Sequence, residues 1–172
     1  MKVFVSHSSQ DDEFTLAFVR ALRDNLGIQE SGDASEILVD RVDLRPGDEW
    51  RAVVYHWLAE CRAAVVLLSR AALDSAWVRR EVNILLWRRA LGDPIEIITA
   101  CIDDIRSDDL RKAGIGDLAE LQLIQHDGPA GLRDASAASQ LAGKIAAERH
   151  PEGGPVGWFA DVRLDQGNSG KP

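Results

Sequence analysis

Two cysteines, Cys61 and Cys101, are too few to staple a chain of 172 residues, so they read as small core residues in a reducing cytoplasm. Long apolar runs are missing too. The longest, Ala63 to Leu68, is six residues, whereas a membrane helix needs about 18. The N-terminus reaches Ser6 and His7 too soon to be a signal peptide. Basic charge is in deficit: 20 Lys and Arg face 28 Asp and Glu, a net charge of −8, which argues against a general nucleic-acid binder. Neither a G-x-x-x-x-G-K-[ST] phosphate loop nor a G-x-S-x-G nucleophile elbow occurs. His7, His56, His126 and His150 are dispersed, with no Cys or carboxylate at ligand spacing, so no metal site is expected. Gly114-Ile115-Gly116-Asp117-Leu118-Ala119 imitates a dinucleotide fingerprint, but it precedes a strand instead of following one and reads as a loop.

What is present fits an ordinary globular domain. Apolar residues make up 45% and charged residues 28%, which excludes disorder over the whole chain. The length suits one domain, over 1–150, with a flexible tail or linker over 151–172 where Gly, Pro and isolated charges take over. Charge is unevenly spread: residues 1–40 carry net −5 and residues 90–172 net −6, while residues 41–89 carry net +3, all of its basic groups being arginine. That middle stretch is the one that would welcome an anion.

The apolar periodicity alternates between strand and helix. Lys2 to Ser6 is a β-branched and aromatic strand. Ser9 opens a helix with Asp12 as its box partner; Phe14, Ala17, Phe18, Ala21 and Leu22 form its inner stripe, and Gly27 ends it. Ile37 to Val39 is a second strand. A turn at Arg45 to Asp48, with Asp48 as cap, leads into a helix with the stripe Trp50, Val54, Trp57, Leu58 and Cys61. Ala63 to Leu68 reads as a fully buried central strand. Ser75 caps a third helix with inner residues Val78, Val82, Leu85 and Leu86. A fourth strand over Ile95 to Ile102, a short helix over Asp108 to Ala113, a weak strand over Leu121 to Ile124 and a last helix over Leu132 to Glu148 follow.

Five β/α units without a Gly-rich dinucleotide loop predict a flavodoxin-like α/β fold: a five-stranded parallel sheet of order 2-1-3-4-5 with helices on both faces. Ligands of such sheets bind beyond the carboxyl ends of the strands where the order reverses, here between the first and third. The chain delivers Ser6 and His7, Asp40 and Arg41, and Ser69 there. Trp77 and Glu81, one helical turn apart and about 100° from the core stripe, either frame a pocket with a stacking wall and an acid, or cover the domain edge with Glu81 paired to Arg80 or Arg88.

Four ordered blocks carry a family resemblance: Val3 to Asp11, Asp40 to Trp50, Val65 to Ser69 and Ser75 to Glu81. Together they resemble a bacterial TIR domain over residues 1–150. The resemblance implies the same flavodoxin-like fold, and it makes the Arg41–Asp48 segment the BB loop. In its enzymatic branch it implies that the glutamate at Glu81 is catalytic, that the substrate is NAD+, and that the tryptophan at Trp77 stands beside it. No cofactor is needed. Ser6 and His7 would line the nicotinamide side, Asp40 the ribose, Arg41 or Arg45 the pyrophosphate, with Ser69 nearby. Products would be nicotinamide and ADP-ribose or a cyclic form. Partners would be further TIR copies and a fused or separate sensor domain, with no nucleic acid and no membrane. The implied setting is bacterial immune signalling against phage. Leu44, Pro46 and Gly47 would mediate assembly: Leu44 belongs to neither neighbouring stripe, Pro46 stiffens the loop and Gly47 permits a hinge. A non-enzymatic branch of the family instead predicts an adaptor acting by TIR–TIR contact, and nucleoside deoxyribosyltransferases are a more distant comparison. The Ile95–Asp104 region is only loosely family-like, which predicts irregular fourth and fifth elements.

Overall fold

A computed structural model describes residues 2–28, 36–39, 49–129 and 131–147. The strands are β1 (Lys2–Ser6), β2 (Glu36–Val39), β3 (Ala63–Leu68), β4 (Glu96–Cys101) and β5 (Leu123–Gln125). The helices are α1 (Asp12–Leu26), α2 (Trp50–Glu60), α3 (Arg70–Asp74), α4 (Ala76–Ala90), α5 (Ser107–Lys112) and α6 (Ala135–Ala147), with 3-10 turns at Ser9–Asp11 and Gly116–Glu120. All pairings are parallel and the order is β2-β1-β3-β4-β5, as the alternation of periods predicts.

Two apolar layers sandwich the sheet. On one face Val3, Val5, Val65 and Leu67 pack with Phe14, Phe18 and Leu22 of α1 and Leu141 and Ile145 of α6. On the other Phe4, Val66 and Leu68 meet Val54 and Leu58 of α2, Val78, Val82 and Leu85 of α4, and Leu110 of α5. Strand alternation does this sorting, since successive side chains point to opposite faces. β3 is buried at all six positions because both its edges are paired and both its faces covered. Gly27 closes α1 with φ 67°, a left-handed cap suited to glycine. Burial pushes the Cys101 thiol up to about 12, with Asp103 and Asp104 adding to it, and raises Cys61 despite the nearby Arg88.

Several boundaries differ from the sequence reading. Ser8, not Ser9, caps the first turn, its hydroxyl accepting from the Gln10 N–H. Glu49 holds the cap position of α2, and Asp48 lies outside the described residues. Ser75 does cap α4, but the extra helix α3 precedes it because Ser69 caps a turn of its own, accepting from the Ala72 N–H at 2.9 Å. α6 begins at Ala135, since the Asp134 carboxylate accepts from the Ala137 N–H at 2.8 Å and Arg133 is drawn elsewhere. β4 is regular, pairing with β3 along its whole length, contrary to the expected irregularity. β5 is short and shifted to Leu123–Gln125 because Gly116–Glu120 coils as a 3-10 turn before it. The expected tail over 151–172 lies outside the described residues.

Candidate functional site

The carboxyl ends of β1 and β3 meet the first turns of α4. Ser6, the last residue of β1, lies beside Val66 of β3 and turns its side chain to the α4 face. Its hydroxyl donates to Oε2 of Glu81 at 2.6 Å, and both side chains are buried, at 0% and 1% exposure. This corrects the expectation that Glu81 stands off the core. Stripe arithmetic allows a helix one buried side, whereas α4 touches both β1 and α2, so its flank at Glu81 is covered as well. Arg88, one of the two partners considered for Glu81 at the domain edge, binds Asp93 at 2.6 Å and donates to the Leu58 and Cys61 carbonyls.

Trp77, one turn before Glu81, is half-buried. Its ring centroid lies 4.6 Å from that of Trp50 and 5.9 Å from that of Tyr55, with the Arg80 guanidinium 5.6 Å from it. Arg80 also reaches the Tyr55 hydroxyl at 3.4 Å. Trp77 thus belongs to a tilted aromatic group next to the carboxylate, with one guanidinium over its ring.

His7 follows Ser6, and its ring turns to α1, where Nε2 sits 3.1 Å from Oδ1 of Asp12. Ser69 is buried but does not face the crevice as a free hydroxyl. It donates to Oδ2 of Asp11 at 2.5 Å and accepts from Ala72, so it anchors α3. Asp40, Arg41, Leu44, Arg45, Pro46 and Gly47 lie outside the described residues.

One cluster escaped the sequence reading. Asp11, with 1% of its side chain exposed, is held by Ser69 and by Arg133, and Arg133 also binds Asp103 at 3.0 Å. Asp103 in turn accepts from the Arg70 N–H at 2.7 Å. The tie joins the ends of β1, β3 and β4 to the approach to α6. Asp11 and Arg133 are 122 positions apart, so no local spacing could announce it. A cleft of about 220 Å³ opens further along, at the ends of β4 and β5, lined by Cys101, Asp103, His126 and Gly128 among others, and it excludes Glu81. Among the described residues, no group of three His, Cys, Asp or Glu is placed to hold a metal, and no helix is long and apolar enough to cross a membrane.

A flavodoxin-like sheet with a buried hydroxyl–carboxylate pair at its switch point defines a class of α/β domain. The TIR domain family model matches residues 3–141, and the chain belongs to that family. Over 93 residues it is 28% identical to the NAD(+) hydrolase TcpA of Theionarchaea archaeon (strain DG-70-1). That match covers 54% of this chain and 26% of the relative, so the chain spans about a quarter of the length of that curated protein. Among solved structures, the TIR domains of the activated Roq1 resistosome directly recognizing the pathogen effector XopQ share the fold, with a TM-score of 0.51 at 18% identity, covering 97% of this chain and 98% of that one.

Proposed function

We propose that this TIR domain cleaves the nicotinamide–ribose bond of NAD+, releasing nicotinamide and ADP-ribose or a cyclic isomer of it, with NAD+ as substrate and no cofactor. The observation that carries this reading is the buried Glu81 carboxylate, held by Ser6 at the switch point. The relative named as an NAD(+) hydrolase supports it.

The chemistry asks for little more. Nicotinamide leaves as a neutral molecule because its ring nitrogen already bears the positive charge, so no general acid is required. The C–N bond breaks with its electron pair going to that nitrogen, and the ribose becomes oxocarbenium-like; water then adds to that carbon and loses a proton to give ADP-ribose, or a nucleophile of the same molecule closes on it to give the cyclic isomer. A fixed carboxylate beside that centre stabilises it, the more so where water is excluded. Glu81 takes this role, and Trp77 stacks on an aromatic part of the substrate. Asp40 bonds ribose hydroxyls and Arg41 or Arg45 approaches the pyrophosphate.

Incubating the purified chain with NAD+ and measuring free nicotinamide tests the reading. Release is expected; a folded chain that releases none leaves the adaptor role. Trp77→Ala should raise KM several-fold or more through lost stacking, while Trp77→Phe retains part of the affinity. Equal behaviour of the two variants in an intact fold would reduce the ring to a cover.

In the same reading the domain is an effector of bacterial immune signalling against phage, acting in the cytoplasm under a fused or separate sensor and switched on by self-assembly. The activated Roq1 resistosome, whose TIR domains share the fold, is the analogy behind this. Rate per molecule should then rise with concentration, because mass action populates the oligomer. Leu44→Asp and Gly47→Pro should flatten that rise. A flat dilution series for a fully active, monodisperse wild type would remove assembly from the scheme.

A further inference from the structure

His7 is 7% exposed, and its Nδ1 is a buried ring nitrogen with no hydrogen-bond partner among the described residues. The other nitrogen, Nε2, faces a carboxylate oxygen of Asp12 at 3.1 Å. A carboxylate only accepts, so in the neutral ring Nε2 carries the proton and Nδ1 is left with a lone pair. Buried polar atoms are nearly always satisfied, and an exception calls for a partner that arrives later. Ser6, the last residue of β1, turns towards α4 and Glu81, and His7, the next residue, towards α1 and Asp12, both at the carboxyl end of the strand, where ligands of such sheets bind.

We propose that His7, its tautomer set by Asp12, is a specificity-determining residue whose Nδ1 accepts a hydrogen bond from the carboxamide N–H of the nicotinamide group. The inference rests on the reading of NAD+ as substrate. Asp12, the first residue of α1, orients the ring without touching the ligand. The arrangement selects for an amide and against a carboxylate at the same ring position, because a carboxylate brings no proton and sets negative charge against the Nδ1 lone pair. It also gives the Ser6-His7 pair a division of labour: the serine holds the carboxylate that meets the ribose, and the histidine identifies the group that leaves.

The test compares kcat/KM for NAD+, for nicotinic acid adenine dinucleotide and for nicotinamide hypoxanthine dinucleotide. Wild type should favour NAD+ over the acid analogue by about tenfold or more. His7→Leu should lower kcat/KM for NAD+ by a similar factor and level the preference. His7→Asn, whose side-chain oxygen can accept near the Nδ1 position, should restore part of it. Asp12→Asn, which can donate to Nε2 and so move the ring proton to Nδ1, should shift the preference towards the acid. If His7→Leu instead erases discrimination against the hypoxanthine analogue, Nδ1 meets the adenine amine and the carboxamide assignment is overturned. If wild type turns over NAD+ and its preferences survive in His7→Leu, the inference fails while the hydrolase reading stands. If no variant turns over NAD+, the hydrolase reading fails. Nitrogen-15 chemical shifts of the His7 ring titrated with NAD+ then decide separately: a displaced Nδ1 signal supports recognition, and an unmoved one overturns it.

Discussion

Glu81→Gln is expected to lower NAD+ cleavage by about 10²-fold or more while leaving the domain folded. Glutamine keeps the shape of the buried side chain, and its amide oxygen can still accept from the Ser6 hydroxyl that now bonds Oε2 at 2.6 Å. What disappears is the negative charge, which in the proposed reaction stabilises a cationic ribose. Because the substitution removes a buried charge without opening a cavity, the stability change should stay near about 1 kcal/mol in either direction. Nicotinamide release and a thermal melt, measured on the same preparation, check both halves. A near wild-type rate from a protein with an unchanged melt would take Glu81 out of the chemistry.

Arg133→Ala should be the most damaging change to a polar contact described away from that site. It strips the main counter-charge from Asp11, a carboxylate with 1% of its side chain exposed, and leaves it with the Ser69 hydroxyl. Breaking a fully buried pair costs about 3–5 kcal/mol. Arg133 is itself 37% exposed, so the lower end applies, roughly 3 kcal/mol. For a domain of this size that lowers the melting temperature by roughly 6–12 °C. Asp11→Asn combined with Arg133→Met should recover much of the loss, because no unpaired charge then remains inside. The exposed Lys2–Glu60 pair supplies the contrast: Lys2→Ala should leave the melt where it was. A melt for Arg133→Ala equal to that of Lys2→Ala would show the tie to be ornamental.

Most of the architecture was legible in the chain. The bounds of β1 and β3 are legible to the residue, because their apolar runs are bracketed abruptly by Lys2 and Ser6 and by Arg62 and Ser69. The helix stripes of α1 and α4 were legible through their 3.6-residue period, and the strand order through the alternation of elements. Ends set by a single side chain were not. α6 starts late because Arg133 is claimed by two distant carboxylates, and α3 exists because one serine caps a turn that periodicity could not resolve. At the site, the pairing of residue types near the switch point was visible, but the burial of Glu81 was not. It depends on a second neighbour for α4, a tertiary fact that a stripe does not contain. Likewise the His7–Asp12 contact joins the end of a strand to the first turn of the following helix, while each residue read alone served a cap or a pocket.

β1 is paired on both edges, from Lys2 to Val5 with β2 and from Val3 to Ser6 with β3. Ser6, paired with Val66, is therefore held in place by the sheet itself. Amide hydrogens of Phe4 and Val5 should exchange with solvent only as fast as the whole domain opens. Heat should accordingly abolish the hydroxyl–carboxylate geometry and the fold in one event, without the early local melting that loop-borne sites undergo.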